Sequence, residues 1–388
     1  MPEPFLHLFE GGPFESLWRR SGLDRVLFAT LRVRHVLVWA VVWLPMLALA
    51  LWQGVAIRGT PVPFLLDFET QARFLIALPL LLLGQPFADA VLGMALGTMP
   101  DRGIIRSVDR DRFRALLDQA GRWSRGLPLT AVVFAAVLLA ATSLTPSRWD
   151  LAVPAWHGTT AGDHPELTAA GSWAAFVAVP VFQFVLFRWL LRLMIWWVLL
   201  LRIARLDLHL VLTHPDRAGG LGILGHRITG FAPFLVSQGV LLSGTLGNRI
   251  AYLNRPLQEM WPEAAAYGSV VLVLILAPYM SFSPPLLRAK VRARLDYGLL
   301  SSRYVNEFER KWVRGEAAPG EPLVGSADIQ SLADLAGSMD IVSEVRSVPF
   351  GKDAIAKVLV PFLLPIVPLI FTMIPAAELV KNLIKIIL

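Results

Sequence analysis

Two arginines, Arg188 and Arg192, lie one helical turn apart inside the longest apolar run of the chain, residues 173–206. If that run is a membrane helix, Arg188 lies about 20 Å from its start, within the hydrocarbon region, and Arg192 lies nearer the inner interface. A guanidinium at that depth needs a headgroup, a counter-charge or water. The pair therefore predicts one of three arrangements: snorkelling to lipid phosphates, an ion pair with Asp89, or the cationic lining of an anion pathway.

Asp89 lies in a second apolar segment, shortly after Gln85 and Pro86. A proline frees a backbone carbonyl, and this carbonyl together with Gln85 and Asp89 would suit a cation or a proton. The alternative is that Asp89 lies near the cytoplasmic end of its helix and pairs with the arginines that follow it. Arg249, in a later apolar segment, is either a guard at the entrance of an ion path or an anchor at the membrane interface.

The run 173–206 leads into a glycine-rich loop, residues 214–226, with the sequence HPDRAGGLGILGH. Its GLGILG segment has the spacing of a dinucleotide-binding motif, but that motif requires a preceding strand, and here a membrane helix precedes it. Tight turns or close backbone packing are a better use for its glycines, Gly219, Gly220 and Gly222. We therefore predict a structured loop at the membrane face and no cofactor.

Metal-ligating groups also occur in and near this loop: His209, His214, Asp216 and His226. Imidazole and carboxylate groups suit zinc, but these spacings match no standard site, and we predict no metal. Asp216 and the adjacent Arg217 are instead predicted to form an ion pair that orients the loop.

Membrane helices must position all of these residues. Hydrophobic residues make up 55% of the 388 positions and charged residues only 17%, with a mean hydropathy of +0.57, whereas soluble domains carry about 25% charged residues. The sequence therefore predicts an all-α polytopic protein with six or seven transmembrane helices and a helical cytoplasmic element. The predicted spans one to six are residues 35–55, 74–96, 127–144, 173–206, 231–253 and 267–287.

The distribution of basic residues predicts the orientation of these spans. Most of the 36 Lys and Arg residues fall in four polar regions, which the positive-inside rule places in the cytoplasm. These are the N-terminal segment 1–34, the loops 97–126 and 202–230 within the transmembrane domain 35–287, and the helical element 288–353. The C-terminal membrane segment 354–388 is open: a seventh span, which we favour, would place Lys381 and Lys385 outside, and a re-entrant segment would keep them inside.

The cytoplasmic element is predicted to contain two helices. The first has one apolar face, whose residues recur mostly four apart: Leu287, Val291, Leu295, Leu299, Tyr304, Phe308 and Trp312. If that face is exposed, it should bind another molecule. The second helix runs from a cap at Ser326 and Asp328 through Val345, and its apolar seam is predicted to pack on the inner end of span four.

Several function classes are excluded. The net charge of +7 would suggest nucleic acid in a soluble protein, but in a membrane protein the basic cytoplasmic loops account for it, and we predict no nucleic-acid binding. The absence of cysteine excludes disulfides and thiolate chemistry. No nucleophile elbow, zinc-protease motif or phosphate-binding loop is present, and we predict no enzyme.

Three stretches resemble a family of uncharacterised bacterial integral membrane proteins: THPDRAGGLGILG at 213–225, LVGSADIQSLADL at 323–335 and VPFLLPIVPLIFTMIP at 360–375. The resemblance covers most of the chain from span four onward. It implies a bacterial inner-membrane location and no particular activity or site residues.

These observations predict a small-ion channel or transporter-like protein, with an anion favoured by Arg188 and Arg192. The alternative is a membrane-anchored sensor or scaffold that docks a cytoplasmic partner, and a lipid-modifying enzyme ranks third. The expected partners are the lipid bilayer, a small ion and further copies of the chain. A ridge of small residues, Gly239, Ser243 and Gly247, serves either packing within the chain or a seam between copies.

Overall fold

The computed structural model describes residues 31–148, 154–159 and 166–371, and within these the protein is predominantly helical. The helices are α1 (Leu31–Trp52), α2 (Phe68–Gly97), α3 (Arg110–Arg125), α4 (Leu127–Arg148), α5 (Ala169–Ile203), α6 (Gly222–His226), α7 (Ala232–Leu253), α8 (Trp261–Leu276), α9 (Ser283–Phe308), α10 (Ala327–Glu344), α11 (Lys352–Leu363) and α12 (Val367–Ile370). A two-residue antiparallel pair joins Gly158–Thr159 to Glu166–Leu167. The predicted all-α polytopic fold is confirmed.

By length and composition, six helical runs in the described residues are able to cross a membrane: His35–Trp52, Phe68–Gly97, Ala169–Ile203, Gly222–Leu253, Leu257–Val313 and Lys352–Ile370. Five of these runs overlap the predicted spans one, two, four, five and six. The predicted span 127–144 lies in α4, part of which qualifies only together with the preceding helix, at a bend of 41°. The last run lies in the predicted C-terminal segment, of which residues 372–388 fall outside the described part.

The centre of the bundle is an aromatic core where α2, α5 and α7 meet. The Trp189 ring stacks on Phe234 with 5.5 Å between ring centroids, and its indole N–H donates to the Leu81 carbonyl at 2.8 Å. Gly84 lets α7 approach α2, because a Cβ at this position would lie 2.4 Å from the Pro233 side chain. These contacts fix the three helices that carry most of the candidate site residues.

The C-terminal helix α11 packs along α7 at the small-residue ridge. A Cβ on Gly239 would lie 2.0 Å from the Phe362 carbonyl oxygen, so only glycine permits this approach. Gly247 lies against the Phe68 side chain of α2, and Ser243 lines a neighbouring cavity. The predicted ridge therefore packs within the chain at two of its three positions.

Helices α9 and α10 form an antiparallel pair, which we call the hairpin. Helix α9 continues from α8 through the 3-10 turn Ala277–Phe282, and α10 folds back along it. Lys290 near the start of α9 donates to the Val345 carbonyl just beyond α10, whereas Tyr304 donates to the Asp328 carbonyl at the start of α10. We call the end of the bundle that carries the hairpin the inner face, following the predicted orientation.

The hairpin corrects one expectation. Val342 and Val345 pack against Ala289 and Ala293 of α9 and cluster with Leu212 of the loop after α5. Trp196 of α5 is fully buried in the bundle, where its ring packs against Phe231 and Tyr279. The apolar seam of α10 faces inward as predicted, but the helix that it faces is α9. The residues of the seam are Leu332, Leu335, Met339 and Val342.

Candidate functional site

Asp89 and Arg192 lie inside the bundle, on the neighbouring helices α2 and α5. The Asp89 residue is 4% exposed and Arg192 is 1% exposed. Trp189 and Trp196, one turn on either side of Arg192, are also fully buried. Arg192, and not Arg188, is therefore the arginine that the bundle encloses.

Arg188 is only half-buried, on the outer side of α5. Its guanidinium carbon lies 5.9 Å from the centroid of the Phe184 ring, a cation–π distance. Gln85 is also half-buried. Arg249 forms an ion pair with Glu263 of α8. The structure therefore brings two of the five predicted ion-path residues, Asp89 and Arg192, into the core.

The glycine-rich loop is built around the Asp216 carboxylate. This carboxylate accepts hydrogen bonds from the backbone N–H groups of Ala218 at 2.9 Å, Gly220 at 3.2 Å and Gly222 at 2.8 Å, and lies 2.9 Å from His214 Nδ1. Burial raises the pKa of Asp216, but the three backbone hydrogen bonds and His214 lower it more, so the net shift is downward. The amides that a nucleotide phosphate would require are therefore occupied by a carboxylate of the loop itself.

Positive φ angles let the backbone close around Asp216. They occur at Arg217 (φ 52°), Gly219 (φ 64°) and Gly220 (φ 94°), a region where glycine is favoured. The predicted ion pair between Asp216 and Arg217 is wrong, because Arg217 lies 2.9 Å from Glu344 of α10 instead. The side chains of adjacent residues in a tight turn point in different directions, so the Asp216 carboxylate binds the backbone amides of the loop and not the Arg217 guanidinium.

The loop lies against two other segments at the inner face. Just before the loop, the His209 N–H donates to the Ile104 carbonyl at 2.9 Å, on the segment after α2. Within the loop, a Cβ on Gly225 would lie 2.8 Å from the Pro349 carbonyl oxygen. The Arg217 carbonyl accepts from Arg346 at 2.9 Å, on the segment between the hairpin and α11. The predicted structured loop is therefore a junction between the bundle and the hairpin.

A buried carboxylate at the opposite, outer face was missed. Asp67 accepts hydrogen bonds from the hydroxyl and backbone N–H of Thr70, from Trp156 Nε1 at 2.8 Å and from Asn248 Nδ2 at 2.7 Å. The neighbouring His157 is buried, and burial lowers its pKa to about 4 against the opposing effect of Asp67. Asp67 three residues before Thr70 is a helix N-cap pattern that the sequence does contain, whereas nothing in the sequence marks Trp156 or His157.

Two apolar cavities flank the C-terminal segment. The larger, about 510 Å³, lies between the outer half of α2, α7 and the segment at Pro365–Leu369, and the smaller, about 230 Å³, lies between α7, α8 and α11. Neither is lined by Asp89 or Arg192. Among the described residues, no group of three or more His, Asp and Glu side chains is placed to hold a metal.

Comparison of the chain with family models, with curated proteins and with solved structures yields no match. The plain conclusion from the fold is an integral membrane protein. Any narrower function must come from the chemistry of its own residues.

Proposed function

We propose that this protein moves a small ion across the membrane, with an anion favoured. The observation that carries the proposal is the burial of opposite charges, Asp89 and Arg192, inside the helical bundle. Transferring an ion from water to a protein interior costs several kcal/mol even after relaxation. Ionisable residues at membrane depth are therefore rare, and they are associated with ion paths and proton relays.

Helix irregularities beside these charges support the same function. Helix α7 begins at Ala232, after the 3-10 turn Arg227–Phe231, and its first turn packs against Gly84, near the middle of α2. This change of helix type therefore lies beside the middle of a membrane helix, five residues from Asp89. Pro86 lies inside α2 in the same region, where it has no N–H to donate to the helix. Discontinuous helices at membrane depth are typical of transporters, where they present backbone groups to ions.

Arg192 gives the preference for an anion. Arginine stays protonated in proteins, so its positive charge is permanent, whereas a carboxylate such as Asp89 can take up a proton. A fixed positive charge in the core favours an anion at that level. In this proposal the negative charge of the Asp89 carboxylate partly offsets the positive charge of Arg192.

The test is ion flux through liposomes containing the purified full-length protein. We expect chloride flux above that of protein-free liposomes, and Arg192→Gln should reduce it by about tenfold or more because the buried positive charge is lost. Arg188→Gln is the matched control, since it is the same change one turn away at a half-buried position, and it should retain the flux. Absence of chloride, potassium and proton flux in correctly folded protein would refute the proposal.

A second candidate is a membrane-anchored scaffold or sensor. The exposed aliphatic side chains of α9 favour it, because Leu287, Val291, Leu295 and Leu299 all remain uncovered by the chain itself. Loss of flux in every assay together with a defined binding partner for α9 would favour this candidate over ion transport.

A further inference from the structure

One face of α9 carries a continuous row of exposed aliphatic side chains, which we call the apolar row. Its members are Leu287, Val291, Leu295 and Leu299, and they are 45%, 61%, 65% and 61% exposed. A spacing of four residues keeps them on one side of the helix. Full burial of one such side chain is worth about 1.5–3 kcal/mol, so a row of four is a strong site for association.

The apolar row is not the face that holds the hairpin together. Ala289, Ala293 and Tyr297 pack against α10, and they lie on the opposite side of α9 from the row. The row also lies on the inner-face helix that extends the membrane run Leu257–Val313, which is 57 residues long. About 20 residues suffice to cross the hydrocarbon core, so much of α9 extends beyond it.

Charge distinguishes the two helices of the hairpin. Arg288 and Arg292 are exposed beside the apolar row. By contrast, residues 315–345 contain no Lys or Arg, and their acidic members are Glu316, Glu321, Asp328, Asp334, Asp340 and Glu344. Four of these acidic residues form ion pairs within the chain: Glu316, Glu321, Asp328 and Glu344. The hairpin thus presents exposed arginines beside the row on α9 and two exposed aspartates, Asp334 and Asp340, on α10.

The exposed side of α10 has a shape that fits the row. Its outward residues, which we call the small-residue face, are Ile329, Ala333, Ala336, Gly337 and Asp340, of which Asp340 alone is acidic. Small side chains leave shallow depressions, into which the Leu and Val side chains of another helix pack as knobs into holes. The apolar row of one hairpin and the small-residue face of another are therefore complementary in shape, and Arg292 beside the row is opposite in charge to Asp340 on the face.

The heights of the apolar row and the small-residue face also agree. Arg294 donates to the Ser343 carbonyl at 3.2 Å and Tyr304 donates to the Asp328 carbonyl at 3.0 Å, which fixes the alignment of α9 with α10. Between these contacts, Leu299 lies level with Ala336. Copies in one membrane share their orientation, so in hairpins that stand along the membrane normal Leu299 of one copy is at the height of Ala336 in its neighbour.

We infer that copies of this protein assemble side by side, with the apolar row of each α9 packed against the small-residue face of α10 in the next copy. This inference goes beyond the proposed ion transport and does not depend on it. A head-to-tail contact between copies of equal height closes into a ring when the rotation permits. The symmetric alternative, row against row, would bring the arginines of both copies together, which is unfavourable.

Cysteine cross-linking in native membranes tests the contact, because the chain contains no cysteine of its own. Leu299→Cys combined with Ala336→Cys should give a ladder of disulfide-linked oligomers under mild oxidation. Asp296→Cys with Ala336→Cys is the matched control, since Asp296 is exposed on the same turn of α9 but off the row; it should give only background. Leu299→Cys alone should remain monomeric.

Charge reversal provides an independent check on the cross-linking pair. Arg292→Glu should reduce the ladder to the level of the control, and so should Asp340→Arg. Both changes together should restore the ladder, because the attraction is re-formed with the signs exchanged. Dimers from Leu299→Cys alone would mean that the apolar rows of two copies contact each other. A double-cysteine protein that stays monomeric would mean that no copy covers the row. Either result, or a failure of the double charge reversal to restore the ladder, overturns the inference.

Discussion

The membrane bundle holds a charged side chain in its interior, whereas the hairpin holds apolar side chains on its surface, and both placements are unfavourable. In the bundle, the guanidinium of Arg192 is enclosed among tryptophans at 1% exposure; in the hairpin, Leu295 is 65% exposed. Burial of the guanidinium costs several kcal/mol of lost hydration per ion. Exposure of an aliphatic side chain loses the stabilisation of about 1.5–3 kcal/mol that its burial would contribute.

The two regions differ in which groups can offset this unfavourable free energy. A charge in the core is balanced by groups of the same chain or, in the proposed ion path, by the small ion that reaches it. An apolar row on the surface can be covered by another molecule. The bundle is therefore expected to tolerate no change in charge, whereas the hairpin should tolerate polar changes on its row and respond only in its association.

The strongest test of this contrast is the loss of the buried arginine. Arg192→Met should lower the free energy of unfolding by about 3–5 kcal/mol, as when one charge of a buried set is removed. Arg188→Met, at a half-buried position on the same helix, should change it by about 0.5 kcal/mol or less. Thermal unfolding of the detergent-solubilised protein measures both.

A double variant sharpens this result. If Asp89 and Arg192 balance each other, Asp89→Asn should recover part of the stability lost in Arg192→Met, because no unbalanced charge would remain. Equal losses for Arg192→Met and Arg188→Met would contradict the assignment of Arg192 to the core.

The next largest effect is expected at the junction between the two regions. Asp216→Ala leaves three backbone N–H groups without their acceptor and should cost about 2–3 kcal/mol. Because the folded pKa of Asp216 lies below its usual value, its stabilisation is present at neutral pH and is lost as the pH falls through that lowered pKa. Asp207→Ala is the control, since Asp207 is largely exposed in an ion pair with Arg106 and should change stability little.

The junction variant also separates the two regions. We expect faster proteolysis of Asp216→Ala within residues 213–226, while the bundle core remains protected. If cleavage sites are unchanged, the loop does not depend on its central carboxylate.

An effect of similar size, seen only as a pH dependence, should come from His157 at the outer face. Its pKa is about 4 in the folded protein, against about 6.5 in an unfolded chain. The unfolded state therefore binds more protons between these values. The contribution of His157 to stability should be constant above pH 6.5, decline from pH 6.5 to 4 and level off below, by about 3 kcal/mol in total. His157→Gln should remove that slope; a wild-type protein whose stability is flat over this range would contradict the assignment.

How much of this was predictable differs between the regions. The helical fold, most of the spans and the inward seam of α10 follow from apolar periodicity, which local sequence carries. The enclosure of Arg192 does not follow, because distance along a helix gives depth in the membrane but not the side of the helix that faces its neighbours.

The Asp216 site was only half predicted: the glycines indicated a tight turn, but which anion the amides bind depends on three-dimensional closure of the loop. Asp67, Trp156 and Asn248 come from distant segments, and no local pattern brings them together.

The smallest effect on stability, and the most specific, is expected on the two faces of α9. Leu295→Asn places a polar group on a side chain that the chain itself leaves exposed, so the free energy of unfolding should change by about 0.5 kcal/mol or less. Ala293→Asn places the same group two residues away against Val342 and Val345, where it must be accommodated in an apolar contact at a cost of about 1–3 kcal/mol. Thermal unfolding of dilute detergent-solubilised protein, in which any association between copies is weakened, compares the two. If the two losses are equal, the apolar row already has a partner within the chain, and the contrast between an internally balanced bundle and an externally completed hairpin no longer holds.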